Sequence, residues 1–410
     1  MPPPISQSSP RAYIETYGCQ MNISDGELME GILAAGGFAV AERPEDADVI
    51  LVNTCAIREH AEQRVLGRVG ELNRLKMENP ELVIGVTGCM AQRLGEDLLE
   101  RAPYVDLVMG PDGYRGLPAA LARVRPGLAP AGAGRGAGAA GPRTPPGSTA
   151  KDRRELPILS GEAVAGSGSG IEPARAGRNG AGDRLAVLDF AAHENYEGLE
   201  VRRTSGVSAW VPVQRGCDHC CTYCIVPYVR GPEKNRDPAR VLDEVRGIAA
   251  GGVSEVVLLG QTVNSYAHSD WSFARLLREV ARVDGIRRVR FTSPHPNDVT
   301  PELIAVMAEE PAVCRQLHLP AQSGHDRTLK RMVRRYTVAK FLDVVDAVRS
   351  AVPNIALSTD IIVGFPGETD EEYEATLELM RTVRFDDAYL YKYSLRDGTP
   401  ATRLPADDFV

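Results

Sequence analysis

The stretch Gln214-Arg215-Gly216-Cys217-Asp218-His219-Cys220-Cys221-Thr222-Tyr223-Cys224 holds four of the chain's eight cysteines. Cys217, Cys221 and Cys224 stand at C-x3-C-x2-C spacing. Three thiolates on one short loop can hold three irons of a cubane cluster and leave the fourth iron open to another ligand. The same stretch contains two abutting C-x2-C pairs, Cys217/Cys220 and Cys221/Cys224, which could close a tetrahedral zinc site. Zinc pairs are normally separated by a turn or finger, and nothing lies between Cys220 and Cys221. Ligand geometry favours iron here and leaves zinc open.

Three more cysteines end three short β-like runs: Ala12 to Cys19, Val49 to Cys55 and Leu82 to Cys89. Helical patterns lie between them at Asp25 to Ala35 and Ile57 to Met77, which gives β-α-β-α-β order and a parallel sheet. Ligands gather beyond the carboxyl ends of such strands, so Cys19, Cys55 and Cys89 fall on one rim. A lone cysteine there would read as a small core residue. Three in register, each after a polar residue or glycine, read as a shared ligand set. A fainter strand, Val105 to Gly110, and a helix from Tyr114 to Arg123 complete a first domain over 11–124.

From 125 to 184 the chain turns to Gly, Ala, Pro, Arg and Ser, with too few large apolar residues to offset the entropy of ordering. A flexible linker is expected there, followed by a second domain over 185–410. In that domain strands alternate with helices. Ala209 to Gln214, Val253 to Gly260, Val289 to Thr292, Gln316 to Pro320, Ile355 to Val363 and Ala388 to Tyr393 are the strands. The pattern predicts an α/β fold with a partial (β/α)6 TIM-like barrel whose chemistry lies where the strands end. Polar residues collect on that rim. His318 between Leu317 and Leu319 reads as a hydrogen-bonded barrel histidine, Cys314 as a buried thiol, and Thr369 with Glu372 as a helix capping box. Arg327 to Lys340 is basic through Lys330, Arg331, Arg334 and Arg335; a solvated face is the first expectation and a phosphate-backbone contact the second.

With 47 Lys and Arg against 55 Asp and Glu, the net charge of −8 argues against a uniformly basic nucleic-acid binder and leaves RNA contact to local patches. No apolar stretch approaches a membrane span, and Met1-Pro2-Pro3-Pro4 opens no signal-peptide core. A cytoplasmic protein without membrane attachment is expected, in which cysteines serve as metal ligands before disulfides.

The C-x3-C-x2-C loop, with Tyr223 just before its last cysteine and six βα units behind it, resembles the radical S-adenosylmethionine (SAM) superfamily. Further stretches make the chain similar to the radical SAM methylthiotransferases: Tyr17-Gly18-Cys19-Gln20-Met21-Asn22, Asn53-Thr54-Cys55, Thr87-Gly88-Cys89, Leu259 to Tyr266, Phe291 to Pro296 and Leu317 to Gly324. Cys-Gln-Met-Asn and Gly-Gln-Thr-Val-Asn-Ser-Tyr point to the branch acting on isopentenylated adenosine in tRNA.

The resemblance implies that Cys217, Cys221 and Cys224 hold a [4Fe–4S] cluster whose open iron binds SAM. It assigns an auxiliary [4Fe–4S] cluster that carries the sulfur to Cys19, Cys55 and Cys89. One SAM would methylate that sulfur and another yield a 5′-deoxyadenosyl radical that begins replacement of the carbon-2 hydrogen of adenosine 37 by methylthio. Such an unactivated C–H bond is beyond side-chain acids and bases. The resemblance places Tyr223 by the SAM adenine, and Gln261, Ser293, Gln322 and Asp360 at the barrel end as SAM or substrate contacts. It implies the anticodon loop of tRNA as partner, an electron donor such as flavodoxin or ferredoxin, and a monomer. Cys220 stands where the family usually has no cysteine, and the chain stops at Val410 where the family continues into a small β-barrel TRAM domain, expected to be absent here. Two rival substrates remain, threonylcarbamoyl-adenosine in tRNA and a ribosomal protein, as does a zinc-dependent RNA-binding module without catalysis.

Overall fold

The computed structural model describes residues 9–56, 59–128, 184–191, 193–203, 206–405 and 408–409. The expected linker lies largely outside these described residues.

The first sheet contains β1 (Arg11–Thr16), β2 (Ala39–Val40), β3 (Val49–Thr54), β4 (Val83–Gly88), β5 (Leu107–Met109) and β6 (Leu185–Val187), all parallel, in the order β2-β1-β3-β4-β5-β6. β3 and β4 are buried at every residue, because helices cover both faces and leave no solvated side to alternate with. On one face Leu28, Met29, Ile32 and Leu33 of the helix Gln20–Ala35 pack on Val49 and Leu51. On the other, Val65, Val69 and Leu72 of Glu59–Glu78 pack on Ile50 and Val52. The first helix begins five residues before the expected Asp25, with Cys19 as its cap and no side-chain cap bond to announce it.

β6 corrects the expected boundary at 185. Leu185–Val187 pairs with β5, Val108 opposite Ala186, so this segment completes the first sheet instead of opening the second unit. Three residues after a run of glycine and alanine carry too little pattern to be assigned from sequence.

The second unit carries six parallel strands: Ser208–Pro212, Glu255–Leu259, Arg288–Phe291, Gln316–His318, Ala356–Val363 and Asp387–Lys392. Among the described residues they form two three-stranded halves joined by a parallel bridge, Val289 to Val313, as in a curved and incomplete barrel. Helices Pro238–Ala250, Phe273–Ala281, Pro301–Glu309, Val338–Ala351 and Asp370–Val383 fill the crossovers. Each is started by a side-chain oxygen on an early backbone N–H, from Asp237, Ser272, Thr300, Thr337 and Thr369 in turn. Thr369 and Glu372 form the expected capping box. His318 is hydrogen-bonded as expected, to Ser358 Oγ at 3.0 Å and Asp360 Oδ2 at 3.1 Å. Cys314 is only half-buried, where a buried thiol was expected.

Candidate functional site

β1, β3 and β4 are adjacent, and Cys19, Cys55 and Cys89 follow their last residues directly or within three positions. The three thiols therefore share one rim. Gly88 has φ +93°, and a Cβ on it would lie 2.4 Å from Thr54 O, so only glycine lets β4 turn into Cys89 beside β3. Two buried asparagines fasten the rim. Asn22 Nδ2 donates to Thr54 O at 2.8 Å, Asn53 Nδ2 donates to Asn22 O at 2.7 Å, and Cys19 Sγ donates to Asn22 Oδ1 at 3.3 Å. A hydrogen bond from Cys55, with the Arg230 guanidinium, brings Cys19 down to about 6 against the opposing pull of burial. Burial pushes Cys89 up against the pull of Arg230.

Across the joint, the loop carrying Cys217, Cys221 and Cys224 leaves the first barrel strand. Gly216 has φ +73°, and a Cβ there would sit 2.0 Å from Pro232 O. The loop is pinned by Cys217 N to Gly231 O at 3.2 Å, Thr222 N to Met332 O at 3.1 Å and Ala401 N to Thr222 O at 2.9 Å. Burial and the neighbouring Cys221 push Cys224 up to about 12, and burial raises Cys217, whose Sγ lies 3.1 Å from Thr262 Oγ1. Cys217 and Cys224, both raised by burial, resist ionising there unless a cation takes their charge. Cys220 Sγ lies 3.7 Å from Asp218 O of its own loop. Both trios offer sulfur alone, the donor set of an iron–sulfur cluster.

Each trio has a buried arginine that the sequence pattern did not single out as a site residue. Arg230 Nε donates to Cys89 Sγ at 3.2 Å and Arg334 Nη1 to Cys221 Sγ at 3.5 Å. Arg334 belongs to the basic run expected to face solvent or phosphate. It is buried instead, with Nη2 on Pro320 O at 3.2 Å, while Arg335 and Lys330 of that run are exposed.

The barrel-end candidates divide. Gln261 Oε1 and Gln322 Oε1 are buried with no partner among the described residues. Ser293 and Gln322 hold φ of +57° and +68°, strained backbone of the kind kept at ligand sites. Asp360 is oriented by His318. Tyr223 packs edge-on to Phe365 at 6.4 Å between ring centres. His219, His295 and Asp298 lie close together, but the two imidazoles stack 10° from parallel at 4.1 Å and His295 Nδ1 already accepts from Asn297 N. In-plane lone pairs of stacked rings do not converge on one ion, and His219 Nε2 instead meets Asp298 Oδ2 at 2.9 Å.

The rims meet. Cys89 packs with Ile225 and Val229, just beyond Cys224, and Cys19, like Trp210, packs against the cluster of Met21 with the barrel residues Val257 and Leu259. Buried ion pairs hold the joint: Asp25 with Arg230 at 2.8 Å and Arg215 at 3.5 Å, and Asp112 with Lys234 at 2.5 Å.

Comparison with known proteins adds three findings. Residues 11–110 match the Uncharacterized protein family UPF0004 and residues 211–380 the Radical SAM superfamily. The tRNA-2-methylthio-N(6)-dimethylallyladenosine synthase of Cereibacter sphaeroides is 40% identical over 396 residues, 96% of this chain and 78% of that protein. Its namesake from Saccharopolyspora erythraea is 41% identical over 96% of this chain and 70% of its own. Among solved structures, the radical S-adenosylmethionine methyltransferase TsrM from Kitasatospora setae aligns over 96% of this chain and 74% of its own, with TM-score 0.61 at 19% identity, a likeness of fold.

Proposed function

The chain belongs to the family of tRNA-2-methylthio-N(6)-dimethylallyladenosine synthases, and from that premise we propose that its two cysteine rims serve one reaction, methylthiolation of carbon 2 of N6-isopentenyladenosine at position 37 of tRNA. It is a radical SAM transferase that uses SAM and [4Fe–4S] clusters. Cys217, Cys221 and Cys224 are the ligands of the SAM-binding cluster; Cys19, Cys55 and Cys89 are those of the auxiliary cluster. The observation that carries this reading is the packing of Cys89 against Ile225 and Val229, which sets the second trio beside the first.

When bound, the clusters and SAM supply one-electron chemistry and transferable sulfur that side chains lack. The protein's own residues do the placing. Gly216 and the bonds to Met332 and Ala401 hold the three-thiol loop in one conformation. Gln261 and Gln322 offer unused amide oxygens to N–H or O–H donors of SAM or of the base, Ser293 borders the same rim, and Tyr223 gives an aromatic wall for the SAM adenine. Asp360, steadied by His318, accepts from a ribose hydroxyl or an exocyclic amine. Single-stranded loop bases are open to such stacking and edge contacts, which suits an anticodon-loop target. A flavodoxin or ferredoxin delivers the electron, and the protein works in the cytoplasm as a monomer.

Anaerobic reconstitution tests the assignment of the trios. About eight irons per chain and reductive cleavage of SAM are expected, with iron halved when either trio is replaced by alanine. Bound zinc without iron would overturn the reading in favour of an RNA-binding module.

A further inference from the structure

Arg230 ends a short helix, Val226–Arg230, that starts two residues after Cys224, and its side chain crosses the joint to the opposite rim. Only 3% of that side chain is exposed. Nε donates to Cys89 Sγ at 3.2 Å and Nη2 to Asp25 Oδ2 at 2.8 Å, while Nη1 is buried with no partner among the described residues. A buried guanidinium donor left unused costs free energy, so its acceptor is expected at the site. The charges point the same way. Asp25 is shared between Arg230 and Arg215, which is 4% exposed, so two buried cations face one carboxylate. One positive charge remains for an anion on the thiol rim, and the field of Arg230 reaches Cys19 as well as Cys89.

We propose that Arg230 is a positioning residue for sulfur: its Nη1 donates to a sulfide-class anion, either cluster sulfide or the sulfur to be transferred, held at the Cys19/Cys55/Cys89 site. The proposal rests on the auxiliary-cluster reading of those cysteines. It places the guide for the sulfur on the radical SAM half of the chain, so the arginine that follows the Cys217–Cys224 loop also registers the sulfur toward it.

The test uses the full chain with Cys217, Cys221 and Cys224 replaced by alanine, so that only the auxiliary cluster assembles, and compares Arg230 with Arg230→Met and Arg230→Lys. Iron per chain, the cluster's reduction potential by spectroscopic titration, and retention of added inorganic sulfide are measured. With iron retained, Arg230→Met is expected to shift reduction at least tenfold toward the oxidised state, 59 mV for one electron, and to weaken sulfide retention at least tenfold. Arg230→Lys is expected to recover the potential, since it keeps the charge, but not sulfide retention, since it lacks the planar fork. Should Arg230→Met lose its iron, Arg230→Lys decides alone. Sulfide retention equal to the parent's in every variant that holds iron would overturn the proposal. A parent without iron would overturn the ligand reading itself, and the proposal with it.

Discussion

Cys55 follows β3 at 7% exposure and shares its rim with Cys19 and Cys89, while the Cys217–Cys224 loop, proposed to form the radical, belongs to a separate unit. Cys55→Ala is therefore expected to keep SAM cleavage and to abolish methylthio transfer, read by 5′-deoxyadenosine and nucleoside mass spectrometry on the same sample. Full transfer would refute the auxiliary role. His295 makes a prediction about pH. Burial, aided by Arg334 and His219, holds its imidazole down at about 2, while the unfolded chain takes up that proton near 6.5. Below pH 6.5 the unfolded state then binds more protons, and stability falls by about 1.4 kcal/mol per pH unit. His295→Gln should flatten that acid limb in denaturant titrations and leave the slope above pH 7 unchanged. The strand-end placement of the cysteines was legible in the sequence, because each of Cys19, Cys55 and Cys89 closes a β-like run. Arg230 and Arg334 were not, because a basic residue in sequence reads as solvent-facing until a fold buries it beside sulfur.

At the scale of elements, the alternation of barrel strands with helices was legible, and each crossover helix opens on a Ser, Thr or Asp cap, a start signal carried in the sequence. The first helix escaped that reading because its cap is Cys19. β6 escaped because its partner β5 precedes it by a long segment, and a three-residue strand has meaning only once paired. The elements are joined by charges as well as by apolar contacts, with Asp25 of the first helix facing Arg215 and Arg230 of the second unit. Asp25→Asn leaves both guanidiniums buried without a carboxylate. Loss of about 3 kcal/mol or more is expected, measured as a lowered denaturation midpoint. A loss within about 0.5 kcal/mol, the range of ordinary surface substitutions, would mean that the joint is held by packing alone.

For the whole molecule, the two units bring sulfur-bearing rims together, and the strand-end placement that makes each rim is common to parallel α/β architecture. Fold likeness extends over both units in TsrM, at 19% identity, so the architecture alone does not fix the substrate. The proposed substrate rests on relatives at 40% and 41% identity, which match this chain through both units. The decisive measurement is anaerobic turnover of the reconstituted protein with reductant, SAM and tRNA carrying N6-isopentenyladenosine, followed by nucleoside mass spectrometry. The account predicts conversion to the 2-methylthio nucleoside, and none on tRNA lacking the isopentenyl group. Active SAM cleavage with that nucleoside unchanged, or methylthiolation of threonylcarbamoyl-adenosine or a ribosomal protein in its place, would contradict it.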